Sequence, residues 1–372
     1  MKVLAIAKTL AKGGAATGAR NTIKALEAAG AEVIQLDGFS AQAAGTRGFV
    51  RTAERIYERI AHGADVHCLK LGPPTFDLRD VCRDHRPDIV QLFDISGNTI
   101  AFDHLKDTPV PVVQRMSDFW PYNGAHHYSE KPPARGGLEE LLLRRTIYSA
   151  QGQPDLFVAP SRWLAKRLPV TPTRVIRNAV EQQPGAAKRL GPAQALRFGF
   201  IANPIDDPRK GVAALGPVLD TLGETIGPIE LHLFGSGSER GLPTGPAVTI
   251  CSHSAFRKEE IESVYARFDI LLCPSLQDNS PNVLTEALSF AVPVVAQSGT
   301  GMDTYIEGEF GALVDFRCGS VEDAALGIAQ LVSRYNSASA AALKYARECL
   351  APQRIGNEYL AAYTELLETP AR

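Results

Sequence analysis

Residues 273–303 read CPSLQDNSPNVLTEALSFAVPVVAQSGTGMD, and the order of residue types in that stretch decides the fold. An apolar β-type run ends at Pro274 and a polar loop follows it. Ser280 and Pro281 then supply helix-start chemistry. Apolar residues recur at helical spacing from Val283 to Phe290, and Pro293 to Ala296 is a second β-type run. Strand, loop, helix and strand in that order make the unit of a parallel sheet, because parallel strands need a crossover that is usually helical. The loop and the first helical turn then fall at the carboxyl end of the sheet, where open α/β folds bind ligands and where a helix start favours anions. Asp278 lies in that loop, the amides of Asn282 and Val283 open the helix, and Glu286 sits in its second turn. A helix start that can hold a diphosphate, flanked by two carboxylates that accept sugar hydroxyls, is a nucleotide-sugar site.

Working outward, the same alternation fills most of the chain. Strand-type runs fall at Val3 to Ala7, Glu32 to Leu36, Ile89 to Phe93, Val110 to Gln114 and Leu156 to Ala159. Helical patterns lie at Ala19 to Ala29 and Phe49 to Ala61. A second series opens at Leu196 to Ile201 and continues at Ile229 to Phe234, Val248 to Cys251, Ile270 to Cys273 and Pro293 to Ala296, with helices at Lys258 to Ala266 and Val283 to Phe290. Between the series, EQQPGAAKRLGPAQA has the composition of a linker. With 372 residues, the chain exceeds the size at which one core keeps growing. The reading is α/β, with one domain over 1–182, a second over 183–352 and a C-terminal segment over 353–372.

Bulk properties exclude several classes. The formal charge of -2 lacks the basic excess of a nucleic-acid binder, so no nucleic-acid partner is expected. The six cysteines, Cys68, Cys82, Cys251, Cys273, Cys318 and Cys349, show no C-x-x-C pair and no zinc-like spacing with histidine, and read as buried free thiols of a reducing compartment. The apolar run at the N-terminus is too short for a membrane span. It reads as the first strand of a cytoplasmic fold.

After that first strand, Gly13 and Gly14 lead into a helix whose amides could approach a phosphate or sugar, although a glycine pair there serves equally as plain turn geometry. The G-x-G-x-x-G spacing of a dinucleotide-binding dehydrogenase is missing. No D-x-D occurs, against a GT-A enzyme in which carboxylates and a metal hold the diphosphate. No metal and no cofactor are therefore expected, the nucleotide sugar being substrate.

The Asp278 to Ala296 block resembles the motif of retaining family 4 glycosyltransferases of the GT-B fold, an E-x7-E followed by a helix of the type EAxAxGxPVVA. Here the order is Asp278, seven residues, Glu286, then EALSFAVPVVA, with Asp278 one methylene shorter than the usual Glu. The resemblance implies two Rossmann-like domains facing each other across a deep cleft, with the final segment, helically spaced from Ile355 to Leu367, crossing back to the first. It implies that Asp278 touches the transferred sugar, Glu286 the nucleotide ribose, and the amides of Asn282 and Val283 the diphosphate. NPIDDPRKGVAAL resembles the family's phosphate clamp, with Arg209 and Lys210 as the cations that stabilise the leaving group. Their alternative is a solvated helix start.

In the first half, DIVQLFDISGN and QRMSDFWPYNGAHHYS resemble acceptor-side segments of the polysaccharide- and lipopolysaccharide-building branch. Asp118, Trp120, Tyr122, Gly124, His127 and Tyr128 match its pattern, His126 replaces a cysteine and Ser117 replaces a histidine. His126 and His127 read as acceptor-side groups or as a hydrogen-bonded structural pair, and Trp120 as a sugar-stacking face or a core side chain. APSRWLAKRL, VIRNAV and GMDTYIEGEFGALVD match further, with Thr304 at the position of a family glutamate. Arg47, Arg51, Arg55 and Arg59 recur every four residues. They make a basic stripe that either rests on anionic lipid at the inner membrane face or pairs with Glu54 and Glu58 in solvent. The implied function is hexosyl transfer from a nucleotide diphosphate sugar to a glycan or lipid-linked glycan, with retention. The alternatives are an epimerase of the same fold and a catalytically weak sugar-nucleotide-binding protein, the latter motivated by Ser117, Asp278 and Thr304.

Overall fold

Short runs that are apolar without alternation belong to strands buried on both faces, and the strands of this chain are largely of that kind. The computed structural model describes residues 1–11, 13–42, 74–120, 152–168, 172–191, 195–237 and 245–369, together with Ile56, His127 and Leu242. It divides into two units, one of Met1–Ala179 with Pro352–Arg372 and one of Val180–Ala351.

The first unit carries β1 (Lys2–Ala7), β2 (Glu32–Asp37), β3 (Ile89–Leu92), β4 (Val112–Arg115), β5 (Leu156–Ala159) and β6 (Thr173–Val175). They form one parallel sheet in the order β2-β1-β3-β4-β5-β6. Helices α1 (Gly14–Ala28), α2 (Gly38–Gln42), α3 (Leu78–His85) and α4 (Arg162–Ala165) connect them. The chain leaves β1 toward β2 on one side and returns to β3 on the other, so the direction of winding reverses between β1 and β3.

The second unit repeats the scheme with β7 (Leu196–Ile201), β8 (Ile229–Phe234), β9 (Val248–His253), β10 (Ile270–Cys273), β11 (Val294–Gln297) and β12 (Gly311–Val314). Their order is β12-β11-β10-β7-β8-β9, again all parallel. The reversal here lies between β7 and β10. Its helices are α5 (Leu215–Ile226), α6 (Ile261–Tyr265), α7 (Asn282–Ser289), α8 (Val321–Ser333) and α9 (Tyr335–Cys349). The register of β7 on β10 is fixed at the amino end, where Arg197 grips Asp269 through Nη2–Oδ1 at 2.7 Å and Nε–Oδ2 at 3.1 Å.

The last helix, α10 (Pro352–Glu368), belongs to the first unit. Ile355, Tyr359 and Tyr363 bury themselves beside Val3, Ala25 and Leu26 of β1 and α1. Tyr363 donates its hydroxyl to Gln91 Oε1 of β3 at 2.6 Å, and both residues are fully buried.

Several expectations are refined or corrected. The linker-like stretch after residue 180 begins where the two units divide, and it is anchored by hydrogen bonds. Gln182 Nε2 donates to the Ala346 carbonyl at 3.1 Å, the Lys188 amide to Ser339 Oγ at 2.7 Å, and Arg347 to the Gly185 carbonyl at 2.8 Å. Its composition forbids helix and strand but not side-chain anchoring. The helix over 258–266 is instead a 3₁₀ turn, Lys258–Glu260, running into the short α6. Among the described cysteines all are free, but Cys318 is exposed and only Cys82 and Cys273 are buried. The helix expected over 49–61, with the arginine stripe Arg47, Arg51, Arg55 and Arg59, lies outside the described residues. Among the described residues no helix is long and apolar enough to cross a membrane.

Replacing Tyr363 by Phe leaves the carbonyl oxygen of the buried Gln91 side chain without its donor, which costs about 1–3 kcal/mol. Urea unfolding of Tyr363→Phe is expected to show that loss, and an unchanged midpoint would mean that the bond adds nothing.

Candidate functional site

In the second unit the reversal between β7 and β10 assembles the motif residues. The segment after β7 holds Arg209 and Lys210 on a 3₁₀ turn, Pro208–Lys210, started by Asp207, whose carboxylate accepts the Arg209 amide at 2.9 Å. The segment after β10 holds Asp278. These segments are tied by backbone, the Leu276 amide donating to the Arg209 carbonyl at 2.8 Å. They are tied by charge too, Lys210 Nζ donating to Asp278 Oδ2 at 2.7 Å. Gly211 makes the approach feasible. Its φ is +71°, and a Cβ there would lie 2.3 Å from the Pro274 carbonyl oxygen. Lys210 keeps 28% of its side chain exposed and Arg209 33%, so each cation is held in place by a carboxylate and still open to a ligand. Arg209 is aimed by Asp207, Nη2 to Oδ2 at 2.6 Å.

Helix α7 starts where the sequence places it, with one change. Pro281 is the residue before its first turn, and Ser280 does not cap it, because the Ser280 hydroxyl pairs with the Tyr305 hydroxyl at 2.6 Å. The amides of Asn282 and Val283 stand in the first turn, where no intrahelical carbonyl precedes them. Glu286 lies one turn further on and accepts the Tyr265 hydroxyl at 2.9 Å. Burial pushes the Glu286 carboxyl above its ordinary value, and the Tyr265 hydrogen bond and the Lys258 charge only partly offset that. Tyr265, from α6, has no motif of its own and is missed by sequence reasoning. Thr304 is buried at the end of a 3₁₀ turn, Gly301–Thr304.

The first unit gathers its groups at its own reversal, between β1 and β3. Gly13 precedes α1 with φ +102°, and no atom lies within 4 Å of where its Cβ would be. The left-handed backbone, not crowding, demands glycine there. Arg20 braces this loop, donating to the Ala11 carbonyl at 3.0 Å and to Thr17 Oγ1 at 2.9 Å. Lys8 follows β1 and donates to Ser96 Oγ at 2.9 Å, while Asp94 follows β3. His127 Nδ1 lies 2.7 Å from Asp118 Oδ2. Burial alone would push His127 down, but the carboxylates of Asp118 and Asp94 outweigh it and hold the imidazole above its ordinary value. Burial likewise pushes Asp94 up, yet Lys8, His127 and the Ser96 hydrogen bonds carry it below the usual range. The result is a group of Asp118, His127, Asp94 and Lys8, carboxylates alternating with an imidazole and an ammonium, of which the sequence marks only Asp118 and His127.

The other first-half candidates differ. Trp120 is 5% exposed and packs on Phe102 at 6.0 Å between centroids, so the core reading holds and its face is not offered to a sugar. Ser117 accepts from Arg115 Nη1 at 3.2 Å, and the buried Arg115 also reaches Asn178 Oδ1 at 2.5 Å. His126 lies outside the described residues.

Two family descriptions match the chain: Glycosyltransferase Family 4 over residues 12–183, and Glycosyl transferases group 1 over residues 195–334. No curated protein sequence matches it. Among solved structures, Anabaena HepE in complex with UDP superposes with a TM-score of 0.62 at 16% identity, covering 98% of this chain and 100% of that one. The same protein with UDP-glucose gives 0.60 at 17%, with the same coverage. Sucrose-phosphate synthase from Thermosynechococcus elongatus gives 0.62 at 14%, covering 98% and 99%. The lipopolysaccharide outer core galactosyltransferase WaaB gives 0.60 at 15%, covering 97% and 99%. The fold they share with this chain is GT-B.

Gly211→Ala is expected to destabilise the protein by about 1–3 kcal/mol through backbone strain alone, and by more through the contact with Pro274. A loss in chemical denaturation no larger than about 1–3 kcal/mol, the backbone cost alone, would show that the Arg209–Lys210 turn is not held tightly against the segment after β10.

Proposed function

The chain belongs to the family 4, group 1 glycosyltransferases, and on that premise we propose that it moves a hexosyl group from a nucleoside diphosphate sugar to a hydroxyl acceptor. The observation that carries this reading is the Lys210–Asp278 contact at the β7/β10 reversal, beside the first turn of α7. Arg209, Lys210 and the amides of Asn282 and Val283 hold the diphosphate, and Glu286, oriented by Tyr265, accepts the ribose hydroxyls. Asp278 is shared between Lys210 and the transferred sugar. Being one methylene shorter than Glu, it needs Lys210 close by, and the 2.7 Å contact is consistent with that.

Catalysis comes from positioning and from stabilising the negative charge on the departing diphosphate. Cations and helix amides do this without a metal at the phosphates. Transfer proceeds with retention, the leaving phosphate assisting the incoming hydroxyl on the same face. In the first unit His127, held by Asp118 at 2.7 Å and with its charged form favoured by the neighbouring carboxylates, suits a hydroxyl or anionic group of the acceptor. That acceptor is a glycan or lipid-linked glycan of surface polysaccharide synthesis, met at the cytoplasmic face of the membrane. UDP-glucose is the first donor to test, because the similarly folded HepE binds it.

Incubating the protein with a panel of nucleotide sugars, with and without glycan acceptors, is expected to show nucleotide release that depends on acceptor. Isomerised donor without acceptor would instead identify an epimerase, and tight binding without turnover a binding protein. Lys210→Ala should lower kcat by about 10²–10³-fold, the loss typical of one leaving-group or oxyanion contact. If Asp278→Ala left donor turnover intact, the motif would be a binding scaffold and not part of the chemistry.

Glu286 accepts hydroxyls through both oxygens, and as a charged acceptor, only as the carboxylate, and burial raises the pH at which it takes up a proton. Donor KM should therefore climb as pH falls, beginning above the range of an ordinary carboxylate. Tyr265→Phe removes a hydrogen bond that favours the ionised form, so in that variant the climb should begin at higher pH. A donor KM profile identical in the two proteins would remove Tyr265 from the account.

A further inference from the structure

Strands β8 and β9 pair in parallel register with His232 opposite Cys251 and Phe234 opposite His253. Side chains two residues apart on a strand share one face. Glu230 and His232 on β8 therefore stand beside Cys251 and His253 on β9. None of these residues belongs to the donor motif, and their grouping is invisible in the sequence because the two pairs lie on different strands. One ligand atom each from Glu230, His232 and Cys251 can be chosen so that all lie within 4.8 Å of one another.

We propose that Glu230, His232 and Cys251 form a three-ligand site for a divalent transition metal of the Zn²⁺ class. The donor set is one carboxylate, one imidazole and one thiol. The thiolate and the carboxylate together cancel the charge of the ion, so filling the site leaves no net charge in this half-buried place. A thiolate with an imidazole selects zinc-like ions over Mg²⁺ or Ca²⁺, which take oxygen ligands. Tetrahedral bonds of about 2.0–2.3 Å need ligand atoms roughly 3.5 Å apart, a closure from 4.8 Å that side-chain torsions supply.

The surroundings fit a metal-bound imidazole. His232 Nε2 faces Glu230 Oε2 at 3.1 Å, inside the ligand set, and its other nitrogen, Nδ1, lies 3.0 Å from His253 Nε2. A ligating histidine is normally fixed in just this way, by a hydrogen bond from the ring nitrogen that does not touch the metal. His253 is itself held, its ring stacked on Phe234 at 4.4 Å and on His232 at 5.3 Å. With three protein ligands the fourth position goes to water or to an exogenous group. Among the described strands β9 is at the edge of its sheet, and a metal bound to both strands pins it to β8. The site is separate in sequence and in ligand type from the proposed diphosphate clamp, and it is independent of whether that proposal holds.

The test is titration of the chelator-treated full-length protein with Co²⁺, followed by absorption, and then with Zn²⁺. The expected result is one equivalent of Co²⁺ giving an intense thiolate-to-cobalt charge-transfer band, abolished on adding Zn²⁺, with Zn²⁺ raising the melting temperature. Cys251→Ser should lose the band while keeping the metal-free melting temperature. His232→Asn and Glu230→Gln should weaken binding, and they carry the test if the serine variant does not fold. His253→Phe should weaken it about 10–100-fold, the effect of losing an outer hydrogen bond to a ligand. Cys318→Ser and Asp278→Asn should bind as the unmodified protein does. Absence of the band in the unmodified protein would overturn the proposal. So would a band that survives in Cys251→Ser or disappears in Cys318→Ser.

Discussion

The parallel pairing of β7 with β10, with Phe198 opposite Ile270 and Gly199 opposite Leu271, is the constraint on which the candidate site depends. These strands are distant in sequence and become neighbours only because the sheet winds first to one side and then to the other. At such a reversal the two connecting loops leave in opposite directions, and a crevice opens at the carboxyl ends of the strands. Arg197 and Asp269 lock the amino end of the pair. At the carboxyl end the same register delivers Lys210 to Asp278. A shift of β7 against β10 would separate the cations from the carboxylate and from the first turn of α7 together.

The first unit obeys the same rule with different chemistry. Its reversal lies between β1 and β3, and Lys8, Asp94, Asp118 and His127 interact there. There the carboxylates of Asp118 and Asp94 outweigh the burial of the His127 imidazole and hold it above its ordinary value. The second unit instead leaves its cations partly exposed, Arg209 beside Asp207 and Lys210 beside Asp278. The proposed binding of a dianionic diphosphate calls for cations that solvent can reach, whereas the proposed positioning of a hydroxyl calls for directed donors. The two units differ in that sense.

Much of this was legible because the chemistry is local. The Asp278 to Ala296 block has its strand end, loop, helix start and second carboxylate in one run, and each element appears where that run places it. Arg209 and Lys210 were legible for the same reason, lying next to the Asp207 that starts their turn. What escaped was short, weakly patterned or long-range. Strand β6 is three residues long, too brief for a pattern, and β12, no shorter than strands that are legible, contains glycine and alanine and is not a continuous apolar run. Tyr265, Lys8, Asp94 and Arg115 are ordinary residues in their own segments and acquire partners only through the sheet. The grouping of Cys251 with His232 required the β8/β9 register. Trp120 went to the core because its ring, beside Phe102, gains more from burial than from exposure. The Pro/Gly-rich stretch after residue 180 follows the division between the units, as its linker composition suggests, but composition does not report what the side chains of Gln182 and Lys188 bind.

The central claim is that the β7/β10 reversal reads a diphosphate through Lys210 and the attached sugar through Asp278. Calorimetric binding of UMP, UDP and UDP-glucose to the unmodified protein, Lys210→Ala and Asp278→Ala tests it most directly. A charged hydrogen bond to the second phosphate contributes about ten- to a hundredfold in affinity. Lys210→Ala should therefore lose most of the preference for UDP over UMP, and Asp278→Ala should lose the preference for UDP-glucose over UDP while binding UDP normally. A Lys210→Ala protein that still distinguished UDP from UMP as the unmodified protein does would contradict the account.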